Sequence, residues 1–202
     1  MGISEIAVLD YGLGNLRSVV RGLEAAGARP TITSDPEVIR SADGIVLPGV
    51  GAFAEGMDKL SPLRGLVNEE VEHKPLLGIC LGMQMLLEES EEYGIHQGLG
   101  FVPGTVRLFP KKPGMKVPQM GWNTITPSGH PLFEGIPDGT YVYFVHSYYA
   151  DTTQEATLST TEYSVRYASA VGVKNALGVQ FHPEKSGTAG IAILRNFVGL
   201  TE

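Results

Sequence analysis

Between residues 5 and 90 the chain alternates short apolar runs with stretches of helical periodicity, and that alternation leaves few folds open. Ile6-Ala7-Val8-Leu9 reads as a buried strand, after which Leu16, Val19, Val20 and Leu23 recur at helical spacing until Gly27 closes the helix. Thr31-Ile32-Thr33 and Ile45-Val46-Leu47-Pro48 read as second and third strands. Between them Asp35 is placed to cap a helix with Pro36 in its first position. Leu63, Leu66, Val67 and Val71 mark the helix that returns the chain to a fourth strand at Leu76-Leu77-Gly78-Ile79. Repeated strand-helix-strand units with right-handed crossovers predict an α/β fold, a mostly parallel central sheet with helices on both faces. Functional loops of such a sheet gather at the carboxyl ends of its strands, which puts Pro48-Gly49-Val50-Gly51 and Cys80 at one edge.

After Gly98 the texture changes. Glycine, proline and aromatic residues punctuate short runs such as Thr105 to Leu108, Tyr141 to Val145 and Ala156 to Leu158, so the C-terminal half is expected to add an antiparallel or mixed β region. Ala176 to Phe181 reads as a last strand ending at His182, and Ile193, Leu194, Phe197 and Val198 give a closing helix its apolar face. No internal repeat or linker interrupts the 202 residues, which are read as one domain, 1–202.

Composition removes several function classes. A net charge of −7 with no long Lys/Arg run, Lys111-Lys112 being the one small cluster, argues against nucleic-acid binding by phosphate neutralisation. Nowhere do some 18 apolar residues run together, and Met1 to Glu5 carry no basic leader, so a soluble, cytoplasmic protein without membrane attachment is expected. The single cysteine excludes an internal disulfide and a multi-thiolate zinc site, and no metal is expected.

That cysteine lies in Gly78-Ile79-Cys80-Leu81-Gly82, between a buried strand and an apolar run, Met83 to Leu87, read as a helix. Gly-x-nucleophile-x-Gly is the pattern of a nucleophile elbow, whose glycines relieve crowding at a strained strand-to-helix turn. A free cysteine is also a good small hydrophobe for a core; its place before a helix, whose N–H groups stabilise thiolate, favours chemistry. Gly49-Val50-Gly51-Ala52-Phe53-Ala54 satisfies a degenerate dinucleotide fingerprint but falls on the third strand; the other reading is a glycine strand aiming N–H groups at an oxyanion near Cys80. His182-Pro183-Glu184 supplies a base and an orienting carboxylate, since positions i and i+2 of an extended segment point the same way. His73, His96, His130 and His146 are read as structural.

Gly78-Ile79-Cys80-Leu81-Gly82-Met83-Gln84 and Gly178-Val179-Gln180-Phe181-His182-Pro183-Glu184 resemble, in order and intact, the motifs of class I glutamine amidotransferases. More narrowly, Pro48 to Phe53, Met120 to Asn123, Tyr143 to Tyr149 and Lys185-Ser186 resemble glutaminase subunits of imidazole glycerol phosphate synthases. The resemblance implies Cys80 as nucleophile, His182 as base and later acid, and Glu184 as the group holding the imidazole. It implies oxyanion donors at Val50 and Leu81. Gly51, Gln84, Ser147 and Tyr148 would hold the amino-acid end of glutamine, with Glu92 a candidate for its α-ammonium. It further implies no cofactor, and a separate cyclase subunit of βα-barrel fold as partner in histidine biosynthesis, forming a heterodimer that receives ammonia. Trp122 and Lys185 are the candidate contacts with that partner.

Overall fold

A computed structural model describes residues 2–201 of the chain. Its first half runs β1 (Glu5–Leu9), α1 (Leu16–Ala25), β2 (Arg29–Thr33), α2 (Pro36–Ser41), β3 (Gly44–Gly49), α3 (Phe53–Leu60), α4 (Arg64–Glu70), β4 (Leu76–Cys80) and α5 (Leu81–Met85). The second half continues through β5 (Leu87–Ser90), β6 (His96–Gln97), β7 (Val102–Leu108), β8 (Gln119–Pro127), β9 (Thr140–His146), β10 (Tyr148–Asp151), β11 (Thr157–Glu162), β12 (Arg166–Val173), β13 (Ala176–Val179) and α6 (Gly187–Gly199).

The strands lie in the order β2-β1-β3-β4-β13-β12-β10-β7-β5-β6, with β11 joining β12 to β8, and β8 to β9. The first five are mutually parallel, as the strand-helix alternation demands. From β12 onward the pairing turns antiparallel, apart from β5 beside β7. Apart from the largely exposed edge strand β2, the parallel part is buried on both faces. Ile6 and Val8 of β1 join Val19 and Leu23 of α1 and Ile193, Leu194 and Phe197 of α6 in one core. Ala7 and Leu9 point the other way, into a second core with Ile39, Phe53, Leu60 and Val67 of α2, α3 and α4. Period-two alternation in the strand thus serves two helical layers, and each fully buried large aliphatic or phenyl side chain contributes about 1.5–3 kcal/mol. The Asp35 side chain caps α2, accepting from the Glu37 N–H at 2.9 Å.

Three local expectations are corrected. The apolar run from Met83 to Leu87 is not one helix: α5 stops at Met85 and Leu87 opens β5. Long-range hydrogen bonds end it, because the Met85, Leu86 and Leu87 carbonyls accept from Leu99, Phe101 and Gly100 at 2.8, 2.9 and 3.1 Å. A helix the periodicity did not suggest, α3, follows the glycine loop. Finally β13 ends at Val179 rather than Phe181: the Gln180 N–H still donates to Ser169 of β12, but the His182 N–H goes to the Tyr143 carbonyl of β9, both at 2.9 Å.

Candidate active site

Cys80 ends β4 with φ 56° and ψ −109°, a backbone conformation that L residues rarely adopt. The surrounding glycines permit it. A Cβ at Gly82 would overlap the Leu47 carbonyl oxygen, and one at Gly78 would stand 2.7 Å from the Gly82 backbone. On the neighbouring strand a Cβ at Gly49 would lie 2.8 Å from both the Gly82 nitrogen and the Tyr11 hydroxyl. The glycine loop is therefore pressed against the elbow. Tyr11 secures it by donating its buried hydroxyl to the Pro48 carbonyl at 2.6 Å, and burial, then the charge at Cys80, raise the phenol's pKa.

Two hydrogen bonds reach the Cys80 sulfur. Its thiol donates to the Val145 carbonyl at 3.9 Å, and the Gln180 side-chain Nε2 donates to sulfur at 3.7 Å. His182 Nδ1 meets Glu184 Oε1 at 2.8 Å, both side chains being almost wholly buried. Burial pulls the imidazole pKa down, but interaction with Cys80 and then with Glu184 outweighs it and holds the group at about 9, against an ordinary 6.5. Among the described residues no group makes a full hydrogen bond to His182 Nε2; the sulfur acts on the ring as a neighbour rather than a tight partner. A 3-10 turn over Pro183–Lys185 fixes the pair, and Ser186 Oγ locks it by donating to the His182 carbonyl at 2.6 Å while accepting from the Tyr143 N–H at 3.0 Å.

A cavity of about 380 Å³ joins these groups, lined by Cys80 and His182 together with Val50, Leu81, Gly51, Gln84, Glu92, Ser147 and Tyr148. Its size suits a small amino acid. A larger hollow of about 940 Å³ between β8, β10, β11 and β12 contains none of these residues. The orientation of the Gln84 amide follows from its neighbours. Its Nε2 lies 3.0 Å from the Tyr148 carbonyl and 3.0 Å from Gln180 Oε1, so both amide protons are committed and its oxygen is the group left for a ligand. Glu92 spends one carboxylate oxygen on the Phe53 N–H, at 2.6 Å, capping α3 directly after the glycine loop. Burial first, then Glu92 and Tyr93, raise the pKa of the Tyr148 phenol. The cavity therefore carries acceptors suited to an ammonium beside a cysteine sulfur. Among the described residues no group of three or more His, Cys, Asp or Glu side chains is arranged to hold a metal ion.

Trp122 and Lys185 lie outside the cavity, on the adjoining surface. Trp122 is 56% exposed and meets the Tyr143 ring edge-on at 6.1 Å, while Lys185 Nζ stands 6.0 Å above the same ring. Two buried groups stand beside the site, Gln180, to which the sequence reading gave no role, and His146, which it read as structural. Gln180 lies two residues before His182 in the same motif; the His182–Glu184 contact itself is made by a 3-10 turn and not by the extended segment expected. The His146 Nδ1 donates to the Tyr148 carbonyl at 2.7 Å, its Nε2 faces the Tyr167 hydroxyl at 3.3 Å, and burial above all lowers its pKa to about 4.

Residues 7–200 match the family model described as glutamine amidotransferase class-I. The chain is similar to the imidazole glycerol phosphate synthase subunit HisH of Methanosarcina mazei, 56% identical over 97% of this chain and 98% of that one. It is also similar to the same-named subunit of Archaeoglobus fulgidus, 47% identical over 98% and 99%. In solved structures the fold recurs in a glutamine amidotransferase, with a TM-score of 0.76 at 19% identity over 97% of this chain and 98% of that one. PurLQS from Thermotoga maritima also gives 0.76, at 17% identity over 100% of both chains. A strained cysteine elbow, a histidine–carboxylate couple and a family match spanning nearly every residue lead to one conclusion: the chain belongs to the class-I glutamine amidotransferases.

Proposed function

We propose that this chain, as a single amidotransferase domain, is the glutaminase subunit of an imidazole glycerol phosphate synthase, hydrolysing glutamine and passing ammonia to a separate cyclase subunit of βα-barrel fold. The observation that carries the chemistry is the strained Cys80 sharing one cavity with the His182–Glu184 couple. The name shared by full-length relatives at 47–56% identity supports the pathway. No described helix is long and apolar enough to cross a membrane.

In this reading the Cys80 proton passes to His182 Nε2 and the thiolate attacks the side-chain amide carbon of glutamine, forming a C–S bond. N–H groups of Val50 and Leu81 receive the oxyanion, a contribution of about 10²–10³ in rate per donor. The His182 imidazolium protonates the amide nitrogen as the C–N bond breaks, and ammonia leaves a glutamyl thioester. Water, losing a proton to His182, attacks the thioester; glutamate departs and sulfur is restored. Glu184 keeps the imidazole oriented and supports its charge. The Gln84 oxygen and Glu92 hold the α-ammonium, with Gly51, Ser147 and Tyr148 completing the amino-acid end.

The test is Cys80→Ala in the assembled synthase. Hydrolysis of glutamine is expected to vanish while synthesis from added ammonium salts persists, because that chemistry belongs to the partner. Glutamine turnover near the wild-type rate would remove Cys80 from the reaction.

A further inference from the structure

Gln180 is fully buried, follows β13 and carries an amide whose direction the chain dictates. The Tyr148 main-chain carbonyl is an acceptor and nothing else, so the Gln84 atom 3.0 Å from it is nitrogen. That same nitrogen meets the Gln180 amide at 3.0 Å, so the Gln180 atom there is oxygen. The Gln180 NH₂ is thereby turned toward the one remaining polar neighbour, the Cys80 sulfur at 3.7 Å. A buried N–H with no better acceptor gains most when that acceptor is charged. The sulfur thus has a different partner for each of its states. As a thiol it donates to the Val145 carbonyl at 3.9 Å. As a thiolate, its proton handed to His182, it has nothing to donate and accepts from Gln180.

We propose that Gln180 is a further catalytic residue of glutamine hydrolysis: its side-chain N–H holds the Cys80 sulfur as thiolate, and its carbonyl locks the Gln84 amide so that the substrate ammonium meets an oxygen. This rests on Cys80 being the nucleophile. One buried amide then joins recognition of the substrate's amino-acid end to the readiness of the attacking atom, through the sequence Tyr148 carbonyl, Gln84, Gln180, Cys80. Losing Gln180 and losing Gln84 have different consequences, because only Gln180 touches sulfur.

The experiment is alkylation of the chain by iodoacetamide across pH, which reads one thiol because the sequence has one cysteine. In Gln180→Met the midpoint of the pH–rate profile moves up by about one unit, the order expected from removing a hydrogen bond to the charged form. In Gln84→Met, which leaves the Gln180 N–H beside sulfur but removes the group that orients it, the midpoint moves by less than in Gln180→Met while KM for glutamine rises in the assembled synthase. An unshifted midpoint in Gln180→Met overturns the proposal. Should that variant fail to fold, the wild-type chain decides: the Gln180 side-chain amide resonance titrates with the alkylation midpoint and loses that titration in Cys80→Ala. A resonance indifferent to pH overturns the proposal equally. Labelling by a diazoketone analogue of glutamine separates the two readings. Wild-type protein that takes no label at Cys80 removes the nucleophile and the proposal together; normal labelling with an unshifted midpoint removes Gln180 alone.

Discussion

The backbone N–H of His182 donates to the Tyr143 carbonyl at 2.9 Å, so the base of the site hangs from the strand that presents Trp122's neighbour to solvent. Trp122 pairs with Tyr143 across β8 and β9. Met120 and Tyr141 extend the same region, 66% and 62% exposed, making an apolar aromatic surface of the kind partners cover. Trp122→Ala is therefore expected to weaken assembly with the proposed cyclase subunit by about 2 kcal/mol or more, as aromatic anchors do. Glutamine hydrolysis by the unassembled chain stays unchanged. Titration calorimetry and rates measured on the same preparation check both halves.

Assembly is also expected to accelerate glutamine hydrolysis. Val50, 41% exposed at the cavity, is flanked by Gly49 and by Gly51 at φ +103°, so the Val50 peptide sits in a segment with little side-chain resistance to rotation. Its N–H contributes only when turned inward, and one such donor is worth about 10²–10³. A partner that shifts this equilibrium switches turnover while leaving the triad untouched. Equal rates with and without the cyclase and its ligand would rule the switch out.

The elbow itself stores strain. A non-glycine residue held at φ 56°, ψ −109° costs about 1–3 kcal/mol, so Cys80→Gly should be more stable than Cys80→Ala although both are inactive. In a domain of this size each kcal/mol is worth about 2–4 °C in melting temperature. A Cys80→Gly protein melting at or below Cys80→Ala would mean that the turn is relaxed.

His182→Ala should cost more activity than Glu184→Ala. The first removes proton transfer, typically worth about 10²–10⁴-fold. The second removes the 2.8 Å contact at Nδ1 and leaves the transferring nitrogen in place. Steady-state rates in the assembled synthase decide it; a Glu184 variant as impaired as the His182 variant would contradict the division of labour.

How far these features were legible in the sequence depends on the range of the forces that made them. The parallel half was readable because a strand buried on both faces must be apolar throughout, as Ile6 to Leu9 is, and its helices must be amphipathic. The position of Cys80 at a turn was readable from glycines that backbone crowding requires. The end of α5 was not, since it is set by N–H groups 13 to 15 residues away at Leu99 to Phe101. Gln180 escaped for a similar reason: what gives a buried glutamine its meaning is the direction of its amide, and that is fixed by Tyr148 and Gln84, distant in the chain. The third strand's glycines met a dinucleotide pattern only in its degenerate form and on the wrong strand, and their approach to Gly82 and Cys80 fits the oxyanion reading.

Two histidines beside the site make opposite predictions for stability against pH. His146 is held at about 4 in the folded chain, chiefly by burial, while the unfolded group sits near 6.5. Below 6.5 the unfolded state binds the extra proton, so the stability that His146 contributes is complete above 6.5 and is lost as pH falls toward 4. His182 is raised to about 9, its coupling to Cys80 and Glu184 overcoming burial. Between 6.5 and 9 the folded state holds the extra proton, so its contribution is complete below 6.5 and is lost as pH rises through 9. As far as these two groups govern the profile, stability should peak near pH 6.5. Melting temperatures followed from pH 4 to 9.5 should show an acid slope that flattens in His146→Gln and an alkaline slope that flattens in His182→Gln. It is the slopes that are compared, because either substitution also lowers the absolute value by breaking a buried hydrogen bond. An acid slope unchanged in His146→Gln would mean that this imidazole is already free to take a proton in the fold, and with it that burial does not hold it neutral.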